Sequence, residues 1–395
     1  MVRVQGKMEE SVVSSVPIRR AGHPFHRDID RAPIENELKR DLVSERPITI
    51  ASTATAVPPN VLSRELVKDY IGGVFNLSGR RLDAILEVID NSKIDRRYSI
   101  FPVDYLIEPR PLAQTSGEYR EHAIALGRSV VQEALDRASI TPQDVDLFIT
   151  VSCTGVMIPS VDAYLAQQMG FRSNVRRLPI TELGCAAGAA GLTRALEYLR
   201  AYPEATVLLA AIELPTLTFQ RKDFSQANLI SAVLFGDGAA AAVITGRDAR
   251  GPAILDSESF LFPESIDAMG FDLRDTGFHI VLAKEVPQLI RDRIGGLVDD
   301  FLARHSLTRK QVKSWLLHPG GQKLLAYMEQ ELGLCRCEVE PSWDVLRDYG
   351  NLSSASVLFV LNEWLVRGKL NAGDRGLLAA FGPGFSAEML LLQWN

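Results

Sequence analysis

The stretch LGCAAGAAGL sets Cys185 among alanines and glycines, where a strand pattern turns into a helical one. A lone thiol there either fills a small space in a core or is a nucleophile whose thiolate a helix N-terminus stabilises. A nucleophilic Cys needs a base or a cationic partner at neutral pH. His318, in LLHPGG, could be that partner. It ends a strand pattern, and strand ends in α/β sheets are where ligands and catalysts collect. Gly320 and Gly321 would let backbone approach a substrate closely. Taken alone, His318 reads equally well as a core histidine. Asn351, in YGNLSSASVLF, reads alone as a turn or N-cap residue, as do Ser353 and Ser354. An Asn can also donate to an oxyanion while carrying no charge of its own. Together the three supply a nucleophile, its base and a neutral oxyanion donor. No metal pattern competes. Cys335 and Cys337 form C-x-C with no second pair and read as incidental. The pair His23 and His26 has the spacing H-x-x-H but no further ligands.

These residues need a scaffold of alternating strands and helices. ITIASTATAVPPN reads as a strand ending in prolines, and EYREHAIALGRSVVQEALDRA has helical spacing. VDLFITVSCTG (145–155) is a buried strand, VDAYLAQQMG a short helix, AAGAAGLTRALEYLRAYP a helix and TVLLAAIEL (206–214) a strand. AVLFGDGAAAAVIT reads as a turn and a strand. The rhythm then repeats: a helix over VPQLIRDRIGGLVDDFLARHSL, a strand into a glycine turn at VKSWLLHPGG (312–321), a helix over SASVLFVLNEWLVRG, and a strand into a turn at RGLLAAFGPG (375–384). Such alternation implies α/β layers. The echoes of 145–155 in 312–321 and of 206–214 in 375–384 suggest two similar halves with a site between them. The expected division is 46–245, carrying the Cys, and 246–395, carrying the His and Asn. Residues 1–45 read as a flexible extension with one short helix near IENELKRDLV.

A chain of 395 residues is long enough for two domains or one duplicated one. The net charge of −6 gives no electrostatic reason to expect nucleic acid. Four cysteines do not make a disulfide framework, so a reducing cytoplasm is the expected location. No apolar run has the length of a membrane span, and MVRVQGKMEESVV lacks the apolar region of a signal peptide.

Five motifs in order resemble the type III polyketide synthases, the chalcone-synthase-like condensing enzymes of the thiolase fold. They are GCAAG around Cys185, LFGDGAAAAV (234–243), LLHPGG (316–321), YGNLSSASVLFVL (349–361) and AFGPGFSAE (380–388). The resemblance covers roughly residues 46–395 and extends to the 33-residue spacing from His318 to Asn351. It implies a layered αβαβα fold of two duplicated halves and a homodimer, in which Met157 or Ile158 reaches the partner's cavity. It implies that Cys185 carries an acyl primer as a thioester, that His318 forms an ion pair with it, and that Asn351 shares an oxyanion site used in decarboxylating malonyl-CoA. Phe235 matches a gatekeeper between the CoA tunnel and the cavity. Cys153, Phe271, Gly320, Gly321, Ser353 and the loop Gly382-Pro383-Gly384 match positions around the substrate. Acyl-CoA and malonyl-CoA would be substrates, and no cofactor or metal is implied.

One departure matters. Plant-type members hold the CoA phosphates with a basic cluster upstream of a K-R-R-Y segment. Here the segment is KIDRRYSIF, and the upstream positions resemble Ala84, Glu87 and Asn91, none of them basic. Arg80 and Arg81, or Arg96 and Arg97, are the substitutes at hand. A ketoacyl-ACP synthase III would use the same residue types, but HPGG stands where it has Gln-Ala-Asn after the histidine. A thiolase needs a second catalytic cysteine, and a binding or scaffold use of the fold would not need all three residues. For the product, MGFDLRDTGFHIVLAKEVP (269–287) resembles bacterial alkylpyrone and alkylresorcinol synthases and favours a fatty-acyl primer. Cys153 stands where tetrahydroxynaphthalene synthases, which use malonyl-CoA alone, also carry a cysteine.

Overall fold

A computed structural model describes residues 46–395; His23, His26 and the helix expected near residue 40 lie outside the described residues. The first strands are β1 (Ile48–Ala56), β2 (Asn60–Ser63), β3 (Arg96–Ser99), β4 (Leu147–Val151), β5 (Arg176–Ile180), β6 (Thr206–Glu213) and β7 (Gly238–Thr245). They are followed by β8 (Ala253–Leu261), β9 (Met269–Arg274), β10 (Gly277–Leu282), β11 (Val312–Leu317), β12 (Arg375–Gly382) and β13 (Ser386–Gln393). Nine of them form one sheet in the order β11-β12-β13-β8-β1-β7-β6-β4-β5. The duplication is visible in that order. From β1 outward, β7 is antiparallel, β6 antiparallel to β7, and β4 parallel to β6. From β8 outward, β13, β12 and β11 repeat the same senses. The two sequence echoes are therefore the equivalent pairs β4/β11 and β6/β12. The halves join where Ile48 and Thr49 pair with Ile254 and Ala253.

The strands read as continuous apolar runs because helices cover both of their faces. In the first half, Phe148, Leu208, Ile212 and Val243 face a core shared with Val130, Val131 and Leu135 of the helix Leu112–Ala138. Their neighbours Leu147, Ile149, Leu209 and Ala242 face the opposite way, into a core shared with the helices Ala187–Ala201 and Ser356–Arg367. Leu316, Leu378, Leu390 and Leu392 of the second half enter that same core. Trp315, Leu317, Leu377 and Met389 face out against the helices Val286–Arg304 and Gln322–Leu332. The result is five layers, αβαβα, with two helices in the middle. Each central helix follows a 3-10 turn, Gly184–Ala186 in one half and Ser353–Ala355 in the other.

Two readings change. AVLFGDGAAAAVIT is not turn and strand throughout, because its start closes a helix, Gln226–Leu234. Cys335 and Cys337, read as incidental, are joined by a disulfide. Their Cα atoms lie 5.4 Å apart, and since residues two apart never exceed about 7 Å, the spacing itself allowed the bond that the reading discounted.

Candidate active site

Cys185 is the middle residue of the turn that leads into the central helix Ala187–Ala201. The turn demands glycine at Gly184, whose φ is +50°. A Cβ there would also lie 2.5 Å from Cδ of Pro383. From the other half, Gly382 comes so close that a Cβ on it would lie 2.3 Å from the Leu183 carbonyl oxygen. Gly382 and Pro383 thus hold the turn, while Gly384 turns away toward Leu261.

His318 directly follows β11. Its amide donates to the Ala379 carbonyl at 2.9 Å, extending the β11–β12 ladder by one residue. Gly320 leaves room for the ring, since a Cβ there would lie 3.2 Å from Cδ2 of His318. Asn351 is clamped by its own backbone. Its amide donates to Leu234 O at 2.9 Å, and its carbonyl accepts from Gly236 N at 3.1 Å. Its Oδ1 accepts from Ser353 N at 2.8 Å, which turns Nδ2 toward Gly320 O at 3.4 Å. An amide nitrogen has two hydrogens, so one remains for a substrate.

Cys185, His318, Asn351, Phe235, Gly320 and Gly321 line one cavity of about 620 Å³. Cys185 and Phe235 also line a second, of about 340 Å³, with Cys153, Phe271, Ser353 and Pro383. Phe235 therefore stands where the two chambers meet. Arg97 fixes its position by donating to Phe235 O at 2.7 Å and to Ala232 O at 2.8 Å.

Ser353 sits at φ +51°, a region that a non-glycine residue enters only when its surroundings hold it there. Its hydroxyl lies 3.5 Å from Cys185 Sγ and 3.2 Å from Cys153 Sγ. Behind them, the fully buried Glu213 accepts from Cys153 N at 3.1 Å and from Thr154 Oγ1 at 2.8 Å, and also from Ser354. Sequence reading missed Glu213 because, at the end of β6, nothing marks it as facing inward.

Burial dominates the electrostatics. It pushes the Cys185 thiol up to about 12, while hydrogen bonding with Ser353 pulls the other way. It pulls His318 down to about 4, so the imidazole is neutral at neutral pH. Glu213 is raised for the same reason, against the hydrogen bonds it accepts. Among the described residues, no cluster of His, Cys, Asp or Glu is placed to hold a metal ion.

Comparison with known proteins agrees with this geometry. Residues 35–249 match the family model of chalcone and stilbene synthases, N-terminal domain, and residues 254–394 match the C-terminal domain. The chain belongs to the type III polyketide synthases. It is 35% identical to a putative chalcone synthase of Bacillus subtilis, over 88% of this chain and 98% of that protein. It is 37% identical to a 1,3,6,8-tetrahydroxynaphthalene synthase of Streptomyces peucetius, over 90% of this chain and 96% of that one. The crystal structure of the 1,3,6,8-tetrahydroxynaphthalene synthase of Streptomyces coelicolor superposes with a TM-score of 0.85 at 34% identity, covering 88% of this chain and 99% of that one.

In this polyketide synthase the four arginines at hand for the CoA phosphates stand in different surroundings. Arg97 is a buried clamp, Arg96 pairs with Asp348 at 3.3 Å, and Arg80 and Arg81 line neither chamber. Of the two residues expected to reach a partner, Ile158 is 95% exposed, whereas Met157 packs against the core of the first half. No helix among the described residues is long and apolar enough to cross a membrane.

The Ser353 hydroxyl lowers the Cys185 pKa, so its removal must raise it. Ser353→Ala is expected to move the pH profile of iodoacetamide alkylation of Cys185 upward by about one unit, the worth of one hydrogen bond to a charged acceptor. An unchanged profile would mean that Ser353 does not support the thiolate.

Proposed function

We propose that this type III polyketide synthase loads a medium- or long-chain fatty acyl primer from CoA onto Cys185 and extends it with malonyl-CoA to alkylpyrone or alkylresorcinol products. The reading is carried by a third space. An apolar pocket of about 90 Å³, lined by Leu62, Val67, Ile71, Val74, Leu106 and Phe219, shares Pro215, Ser231 and Phe235 with the inner chamber. A hydrocarbon tail on Cys185 has an apolar continuation there, and burying it is favourable at roughly 0.8 kcal/mol per CH₂.

The steps follow from the groups present. Cys185 loses its proton to His318 as sulfur attacks the primer thioester, and CoA leaves. Malonyl-CoA then presents its thioester oxygen to the His318 N–H and to the second Asn351 Nδ2 hydrogen. Loss of CO₂ leaves an enolate whose oxygen these donors stabilise. The enolate carbon attacks the acyl group on Cys185 and frees the thiolate. Burial of the two donors strengthens each of these hydrogen bonds.

A second reading keeps the chemistry and changes the primer. Cys153 shares the Ser353 hydroxyl with the nucleophile, and two of the relatives above are named as 1,3,6,8-tetrahydroxynaphthalene synthases. On that reading malonyl-CoA also starts the chain and Cys153 handles its reactive intermediates. We further propose a homodimer. Val156, which lines the inner chamber, and Ile158 are exposed together on the loop after β4, as an apolar contact between two copies requires.

The roles separate by mutation. Cys185→Ala is expected to abolish condensation yet leave measurable malonyl-CoA decarboxylation. Asn351→Ala is expected to slow decarboxylation about a hundredfold, the usual cost of one oxyanion donor. Normal decarboxylation by Asn351→Ala would remove Asn351 from that role. The primer is tested by product mass with hexanoyl-, lauroyl- and palmitoyl-CoA and with malonyl-CoA alone. Ser231→Phe, at the junction of the two inner spaces, should cut off the longer primers and spare the shorter. If the native enzyme ignores every acyl-CoA and Cys153→Ser impairs a malonyl-only product, the second reading replaces the first. Light scattering is expected to give the mass of two chains, and an active monomer would refute the dimer.

A further inference from the structure

The inner chamber of about 340 Å³ holds a carboxylate that the condensation steps leave unused. Apart from the thiols of Cys153 and Cys185, Glu182 is the only ionisable residue lining it. Sheet register explains the placement. β4 lies between β5 and β6 and is parallel to both, and Val151 pairs with Ile180 on one side and with Ala211 on the other. Two residues beyond that row stand Cys153, Glu182 and Glu213. The two glutamates therefore flank Cys153 at equivalent places, at the strand ends where catalysts collect. Their surroundings differ. Glu213 is buried and accepts from Cys153 N, Thr154 and Ser354, so its oxygens are engaged. The Glu182 side chain is exposed and makes no hydrogen bond or ion pair among the described residues. It lines the chamber beyond Cys185 and not the outer one that holds His318 and Asn351.

We infer that Glu182 is the general base of product release: it takes the enol proton of the poly-β-keto chain on Cys185 as that chain closes to a lactone. The inference rests on the reading that Cys185 carries such a chain. A primer extended twice stands there as a thioester with ketones at its third and fifth carbons. The enol O–H at the fifth carbon gives its proton to the Glu182 carboxylate, and the enol oxygen bonds to the thioester carbon, closing a six-membered ring. The carbon–sulfur bond breaks, and the Cys185 thiolate recovers the proton from Glu182. Carboxylate and thiol are restored, an alkylpyrone leaves, and no further reactant is consumed. An ionised carboxylate only accepts hydrogen bonds, so one with both oxygens unengaged is fitted to take this proton. Besides the two thiols, the other polar side chains lining the chamber are hydroxyls, which need a base of their own.

The test follows product and enzyme-bound mass in Glu182→Gln and Glu182→Ala, supplied with lauroyl-CoA and malonyl-CoA. Loading of Cys185 by the primer shows that the variants fold. Pyrone formation is expected to fall about a hundredfold or more, the usual worth of a positioned general base. Quenched Glu182→Gln is expected to carry the extended chain on Cys185, seen by intact mass, where the native enzyme carries little. Added formate is expected to restore pyrone formation by Glu182→Ala, a rescue that a role in chamber shape alone does not give. The inference is overturned if Glu182→Gln forms pyrone at the native rate, or if its loss comes without bound chain. It is overturned equally if formate leaves Glu182→Ala unchanged, or if the native product is a resorcinol alone, which no lactone closure gives. A native enzyme that ignores lauroyl-CoA refutes the fatty-acyl reading instead, and the same comparison on its malonyl-primed chain then decides Glu182.

Discussion

Everything at the site depends on how closely the two halves approach at the Cys185 turn. A Cβ on Gly382 would lie 2.3 Å from the Leu183 carbonyl, and one on Gly188 would lie 2.2 Å from the Ser354 carbonyl. Neither gap admits any side chain. The second half is therefore seated directly on the backbone of the first, and this brings His318 and Asn351 into the cavity that Cys185 lines. The contact is also where two central helices begin, so both positive helix ends face the same small volume. A duplicated fold produces this convergence without special pleading, because equivalent turns precede equivalent helices.

The same closeness buries the reactive side chains, and burial has two consequences. It disfavours isolated charges, which is why the Cys185 thiol is raised, His318 lowered and Glu213 raised by one common cause. It also strengthens any hydrogen bond made to a charge that develops during reaction. Neutral donors suit such a cavity better than fixed cations. Glu213 contributes by accepting from Thr154, Ser354 and the Cys153 amide, so it orients the loop after β4 and the Ser353–Ala355 turn together.

On the proposed reading, Phe235 and its support divide reaction from selection. The ring stands between the outer and inner chambers, and the backbone around it is tied to Arg97 on one side and Asn351 on the other. The gate and the oxyanion donor proposed above are thus joined by backbone hydrogen bonds, between Asn351 and the residues on either side of Phe235. A shift of either one must move the other.

By itself the sequence was enough for the alternating layers and for singling out Cys185, His318 and Asn351, which line one cavity; of the duplication it carried only a faint echo. Strands such as TVLLAAIE are apolar on both faces, which only a helix-covered sheet satisfies. The glycines at 184 and 382 stand where backbone must turn or touch, so their motifs carry a geometric message. Local pattern was insufficient wherever a residue's role depends on its direction. Arg97 and Arg96 are adjacent in one basic segment, yet one points into the protein to hold Phe235 and the other reaches Asp348 at the surface. Glu213 is one more residue at a strand end until β4 and the Ser353 turn close over it. Cys335 and Cys337 are near enough by spacing alone, but only the local backbone conformation lets their sulfurs meet. Periodicity and composition are properties of neighbours along the chain. Charge pairing, burial and the lining of a cavity are properties of neighbours in space, and only the packed halves decide those.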